Sequence, residues 1–242
     1  MKEWGLPIRE ITERLPAQLY DSRASFDAIL PLGGMEAPTK DRDLLGFYYP
    51  NNKTGCFYDD ASIYADDLGL LAETFYHEGS HQLFDLRLRI PSLGDAGKYP
   101  LAWLDEGIAT YMETLAAEEK SGKRALRVGA LSTTTSSARS TPRRKANYGR
   151  SRSLRTSRPR NSDDFADAYP EAGALVHFLV NGNGGVYRKA FGPIVEEVRK
   201  QGGLKKNLFE TLGVPAGKLD DEFTKHLRSI GASLPRREYR GR

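Results

Sequence analysis

The pentad His77-Glu78-Gly79-Ser80-His81 holds the residue types that chemistry at a borderline divalent metal requires. If the segment is helical, residues at i and i+4 share a face with Cβ atoms about 5–6 Å apart, so both imidazoles can meet one ion at about 2.0–2.1 Å. Glu78 then lies beside that face, able to reach water at the metal without itself ligating. The chain has four histidines, His77, His81, His177 and His226, and two of them fall at this spacing. The competing interpretation is plainer: two histidines of a helix surface or core around an ordinary glutamate.

Two donors leave a catalytic zinc site incomplete, because such sites usually carry three protein donors and one open position. The stretch Pro100-Leu101-Ala102-Trp103-Leu104-Asp105-Glu106-Gly107-Ile108-Ala109-Thr110-Tyr111 offers the next acidic side chains at the start of a second helix, with Glu106 25 residues after His81. Spacing does not separate Glu106 from Asp105. Acidic residues at a helix N-terminus also have an ordinary explanation in the helix dipole.

The elements that must position these groups are legible from pattern. Leu44–Tyr49 and Cys56–Tyr58 flank the turn-rich Pro50–Gly55, which predicts a β-hairpin, and a short apolar run spans Phe26–Leu32. From about Asp67, a suitable N-cap, the period becomes helical, with Leu70, Thr74, His77, His81, Phe84 and Leu88 along one face and Pro91 as the stop. A second helical stretch is expected from near Leu104 to about Glu119. Further helices are expected at about Ala168–Val180, Val186–Lys200 and Leu219–Ile230, separated by Gly182-Asn183-Gly184-Gly185 and Gly213-Val214-Pro215.

At 242 residues, 39% of them hydrophobic, the chain can bury one sizeable core, or one core with a smaller helical lobe. The single cysteine, Cys56, excludes an internal disulfide framework and a thiolate zinc cage. No run reaches the roughly 18 apolar residues of a membrane span, and Met1–Trp4 does not open into a signal-peptide core. Localisation is left open. Charge is uneven: residues 121–160 hold twelve Lys or Arg and no Asp or Glu against a net charge of +4, so the rest of the chain carries −8. The Ser, Thr and Arg-rich stretch Leu131–Arg160 has almost no large apolar residue and is expected to be a solvated loop. An Arg-rich arm on nucleic acid is the sharper alternative, but Tyr148 is the only aromatic there to stack on a base. The organisation expected is a core over 1–120, a basic low-complexity insertion over 121–163 and a helical C-terminal lobe over 164–242.

HEGSH followed by WLDEGIATY resembles the gluzincin clan of zinc metallopeptidases, in particular its peptidase-MA-like branch. The likeness covers roughly Leu71–Glu113, and more loosely Tyr169–Leu179. It selects Glu106 over Asp105 and implies one zinc ion held by His77, His81 and Glu106, with Glu78 as catalytic acid/base and Ala109 packed beneath the site. It implies an α+β, zincin-like fold: a small N-terminal β-sheet whose edge can take an extended peptide, an active-site helix and a mainly helical C-terminal lobe. The implied function is zinc-dependent peptide-bond hydrolysis, with a peptide or protein as substrate and nucleic acid not expected as a partner. Where many gluzincins place an acidic residue four positions after the third ligand, to orient a ligating histidine, this chain has Thr110. A hydroxyl accepts that bond without charge, so weaker metal binding is expected. Tyr169 and His177 are the candidates for the oxyanion stabiliser, each with a structural role as the competing interpretation. Two other classes stand beside the peptidase: a metal-binding domain without catalysis, and a nucleic-acid-associated protein acting through residues 131–160.

Overall fold

The hairpin over the turn-rich stretch forms, and a third strand completes a small sheet beside it. In the computed structural model the described residues are 4–6, 12, 14–33, 44–59, 68–88, 102–120, 123–129, 162–201 and 204–232. Their elements are β1 (Ala17–Tyr20), α1 (Arg23–Ile29), β2 (Gly46–Tyr49), β3 (Thr54–Tyr58), α2 (Leu68–Leu88), α3 (Ala102–Met112), β4 (Ala116–Lys120), β5 (Lys123–Arg127), α4 (Ser162–Asn181), α5 (Arg188–Gln201), α6 (Leu208–Leu212) and α7 (Ala216–Ala232). The fold is α+β, with its three-stranded sheet near the N-terminus and mostly helix after it.

β3 is the central strand: β2 pairs with it antiparallel, Phe47 opposite Cys56, and β1 pairs parallel, Gln18 opposite Cys56. One buried apolar cluster lies with this sheet, made by Phe26 and Leu30 with Leu45, Phe47, Cys56 and Tyr58. The phenyl ring of Phe26 sits within 6.0 Å of the rings of Tyr20, Phe47 and Tyr58. The larger cluster belongs to the helices, where Leu104, Ile108, Val176, Phe178, Leu179, Phe191, Ile194 and Val195 are almost wholly removed from water.

Helix α2 joins the two. Its Leu71 packs on the sheet cluster while Phe84 enters the helical one. Phe75 stacks on Phe57 of β3 with ring centroids 3.9 Å apart. Polar bonds fix the same contact: Gln82 donates through Nε2 to the carbonyls of Pro16 (2.9 Å) and Lys53 (2.8 Å), and Asp85 accepts from the Tyr48 hydroxyl (2.6 Å) and Lys53 Nζ (2.7 Å). These bonds span the hairpin turn and the entry to β1, so α2 is held against a braced backing.

Helices α3 and α4 approach closely because small residues line their contact. A Cβ on Gly173 would lie 2.4 Å from Thr110 Cγ2, and one on Gly107 would lie 2.7 Å from the Ala172 carbonyl oxygen. Glycine at both positions lets the two backbones meet.

The expected helix over 104–119 ends at Met112, and this is a correction. Thr114 N–H bonds the Tyr111 carbonyl and Leu115 N–H the Met112 carbonyl, which tightens the last turn, after which β4 and β5 form an antiparallel hairpin. β5 occupies the first residues of the basic stretch; residues 130–161, and with them nearly all of the Arg-rich segment, lie outside the described residues. Helix α4 begins at Ser162, earlier than the apolar pattern places it, and α7 runs from Ala216 to Ala232. No helix among the described residues is long and apolar enough to cross a membrane.

Candidate metal centre

Along α2 the helical period brings His77 and His81 to one side, where the start of α3 faces them. Nε2 of His77 and Nε2 of His81 are 3.2 Å apart; Oε2 of Glu106 lies 3.3 Å from the first and 3.6 Å from the second. Three donor atoms thus form a nearly equilateral triangle. An ion bound tetrahedrally at about 2.0–2.1 Å from each donor requires donors about 3.3 Å apart, which is the spacing found. His81 and Glu106 are buried, and Glu106 Oε2 has no hydrogen-bond partner among the described residues. A buried carboxylate oxygen left without a partner is costly unless something binds it. The group of His77, His81 and Glu106 can therefore hold a metal ion.

The other nitrogen of each imidazole is engaged by a carboxylate. His77 Nδ1 lies 2.7 Å from Glu113 Oε1, and His81 Nδ1 lies 3.2 Å from Asp105 Oδ1. Carboxylates only accept, so both Nδ1 atoms carry hydrogen and both Nε2 lone pairs are free to point at the common centre. This separates Asp105 from Glu106, which spacing alone does not: Asp105 addresses the rear of the His81 ring, and Glu106 the front.

Glu113 is the residue that sequence reasoning missed. The position four residues after Glu106, Thr110, does not orient a histidine; Glu113 meets His77 Nδ1 instead. Thr110 is fully buried, its hydroxyl is without a hydrogen-bond partner among the described residues, and its methyl fills the α3–α4 contact. The charge comes from Glu113, seven residues past Glu106 and so two helical turns along the same face. Glu113 N–H still bonds the Ala109 carbonyl at 3.1 Å, which keeps it in helical register just beyond α3. That i, i+7 period was the available signal.

The electrostatics follow from four carboxylates around two imidazoles. Burial opposes charge on His77, but Glu106, Glu113 and Glu78 outweigh it and raise its pKa to about 10. His81 is likewise raised well above the ordinary histidine value by Asp105 and Glu106 against the effect of burial. Burial would push Glu106 up, yet His81 and His77 hold it down at about 2. Glu78 moves the other way: burial raises its pKa, and the two histidines and the backbone N–H of Tyr48 offset only part of that rise. The cluster attracts positive charge, and protons or a dication can supply it.

Of the remaining candidates, Ala109 is buried. His177 is committed elsewhere: its two ring nitrogens lie 2.9 Å from His226 Nε2 and 3.0 Å from the Gly129 carbonyl oxygen. Its neighbours therefore support the structural role over oxyanion stabilisation. The Tyr169 side chain lies outside the described residues. Cys56 is free and buried in the sheet cluster, and burial and then Glu78 push its thiol up to about 11, so it is a packing residue at neutral pH.

A family model matches residues 71–197, just over half of the chain, from the first turns of α2 into α5. The chain belongs to that family, which is described as a protein of unknown function, DUF1570. Comparison with curated proteins returns no match, and comparison with solved structures returns none.

Proposed function

We propose that the chain is a zinc-dependent metallopeptidase of gluzincin type, with His77, His81 and Glu106 as ligands and Glu78 as general base. One observation carries the proposal: three donors at tetrahedral spacing, two of them imidazoles whose opposite nitrogens are fixed by carboxylates, beside a fourth carboxylate that is not a ligand. Bound there, zinc would supply Lewis-acid polarisation of a carbonyl and would acidify water near neutral pH. The chain's own groups do the rest.

Glu78 follows His77 by one residue, so the helix places its carboxylate next to the triangle without adding it to the donor set. Its raised pKa suits a group that takes a proton from water and later returns it to a leaving amine. Tyr48 N–H, from the hairpin strand β2, bonds this carboxylate and orients it. Among the described residues β2 pairs with β3 on one side, and its other edge is the place for the main chain of an extended substrate. Asp105 and Glu113 hold the rings with their Nε2 atoms forward, which lowers the reorganisation needed when metal binds.

The test pairs metal analysis with cleavage of a peptide library, for the natural chain and for Glu78→Gln. Zinc in both, with cleavage in the natural chain alone, is the expected result. Zinc in both with no cleavage by either leaves a metal-binding protein without peptidase activity. No stoichiometric metal in either overturns the proposal.

A further inference from the structure

A second polar cluster lies where the C-terminal helix meets the helical core. The Gly129 carbonyl can only accept, so Nε2 of His177, 3.0 Å away, carries the hydrogen. Nδ1 of His177 is then bare, and the hydrogen shared between the rings at 2.9 Å comes from His226 Nε2. Gly129 itself is pinned: its N–H donates to Thr114 Oγ1 at 2.6 Å, and that hydroxyl donates to the Tyr111 carbonyl at 2.6 Å. Asn181 Nδ2 donates to the Tyr111 hydroxyl at 3.1 Å. Gly129 has φ +92°, and a Cβ there would come within 2.8 Å of that hydroxyl, so glycine is required on both counts. Four elements meet at one pair of rings: α7 through His226, α4 through His177, the end of the β4–β5 hairpin through Gly129, and the last turn of α3 through Tyr111, with Thr114 just beyond that helix holding Gly129. Between Tyr111 and Thr114 sits Glu113, which orients the ligand His77.

The pair tolerates one added proton and not two. A proton on His226 Nδ1 leaves the ring-to-ring bond in place. A second must go to His177 Nδ1, where it would face the N–H of His226, donor against donor. No carboxylate among the described residues bonds either ring to compensate such charge. Among the described residues, Tyr111 on α3 meets the His177 ring, Arg188 opens α5 with Tyr187 just before it, and Glu222, Lys225 and Arg228 are the charged groups nearest His226 along α7. Arg188 is bonded to the Val180 carbonyl, and Glu222 is taken by Tyr187 and Lys218; neither ring has a carboxylate partner.

We propose that His177 and His226 form an acid-operated latch: closed, it fastens α7 to the end of α3, and uptake of two protons releases α7 and loosens the segment that carries Glu113. The effect on a bound metal rests on the function proposed above; the latch itself does not. Burial lowers the pKa of both rings, with His177 adding to the effect on His226, which falls to about 4. Released rings titrate near 6.5. Between about 6.5 and 4 the released form therefore holds more protons than the closed one, so opening is favoured as pH falls.

The experiment is amide hydrogen exchange over residues 216–232 of the whole chain, as protection factors from pH 7 to 4.5, with and without zinc. Two chains are compared, the natural one and His226→Gln, whose amide still donates to His177 but does not titrate. In the natural chain the opening constant is expected to steepen toward about a hundredfold per pH unit, and in His226→Gln to stay within about tenfold, one proton instead of two. Equal slopes in the two chains, or a flat profile in the natural one, overturn the latch. If His226→Gln does not fold, His226→Phe keeps a ring without a titrating nitrogen and carries the same expectation. Zinc retention over the same pH range should be better in His226→Gln than in the natural chain; equal loss removes the link to the metal centre. Failure to bind zinc at all, with the two-proton slope intact, would sink the peptidase reading alone.

Discussion

Glu78 and Glu113 are both acidic neighbours of His77, and their different placement gives them separable roles. Glu78 lies outside the donor triangle, so Glu78→Gln should keep a full complement of metal while peptide hydrolysis falls by roughly 10²–10⁴-fold, the usual contribution of a general base. Metal analysis beside a cleavage assay checks it; His77→Ala or His81→Ala should instead lose the metal. Glu113 accepts from His77 Nδ1 at 2.7 Å. Glu113→Ala should weaken zinc binding by about 10–100-fold, with Glu113→Gln in between because its amide oxygen still accepts. Competition against a chelating dye reads that directly, without any substrate. The two histidines and Glu78 were legible because their relation is local: one turn of helix fixes it. Glu113 was not, because its partner is 36 residues earlier on another helix.

At the scale of elements, the α3–α4 contact sets where Glu106 arrives. Thr110 meets Gly173 there and Gly107 meets Ala172, with no space for a further methyl group. Gly173→Ala should force the helices apart, cost about 1–3 kcal/mol of stability as overpacking does, and weaken metal binding as Glu106 recedes. Thermal melting of the ion-free protein gives the first quantity and zinc titration the second; a melt unchanged from the natural chain would show that the contact is softer than described. The same segment shows how far periodicity reaches. The apolar spacing after Leu104 continues as if helical, yet α3 stops at Met112, because residues 116–120 find backbone partners in 123–127. Propensity is a weak prior against a hairpin that forms at short range.

Over the whole molecule, proton and metal binding are linked through the buried carboxylates. The carboxylates raise the pKa of His77 to about 10 and that of His81 above the ordinary histidine value, so the ion-free pair holds one added proton, shared across the 3.2 Å between the two Nε2 atoms. Binding a dication must expel it. About one proton should be released per ion, so apparent affinity should rise with pH by up to about tenfold per unit near neutrality. Calorimetry in buffers of different ionisation enthalpy counts that proton; release of none would contradict the charge balance described. The sign for stability follows from the same shifts. In the ion-free chain the raised His77 contributes stability that is fully present below about pH 6.5 and lost as pH rises through about 10.

The amino-acid sequence by itself determined what depends on near neighbours: two imidazoles one turn apart with a glutamate beside them, a turn-rich hairpin, the start of a second acidic helix, and an α+β order of elements. Local dihedral preference and hydrophobic period encode all of these within a few residues. The tertiary structure decided what depends on how helices meet. It chose Glu106 over Asp105 to face the triangle and supplied Glu113 in place of Thr110. It added β1 to the sheet and paired His177 with His226, 49 residues away. Such choices turn on ångström-scale placement of whole elements, set by the packing of Gly107 and Gly173 and the bracing of α2 on the hairpin, and no period within one segment carries that information.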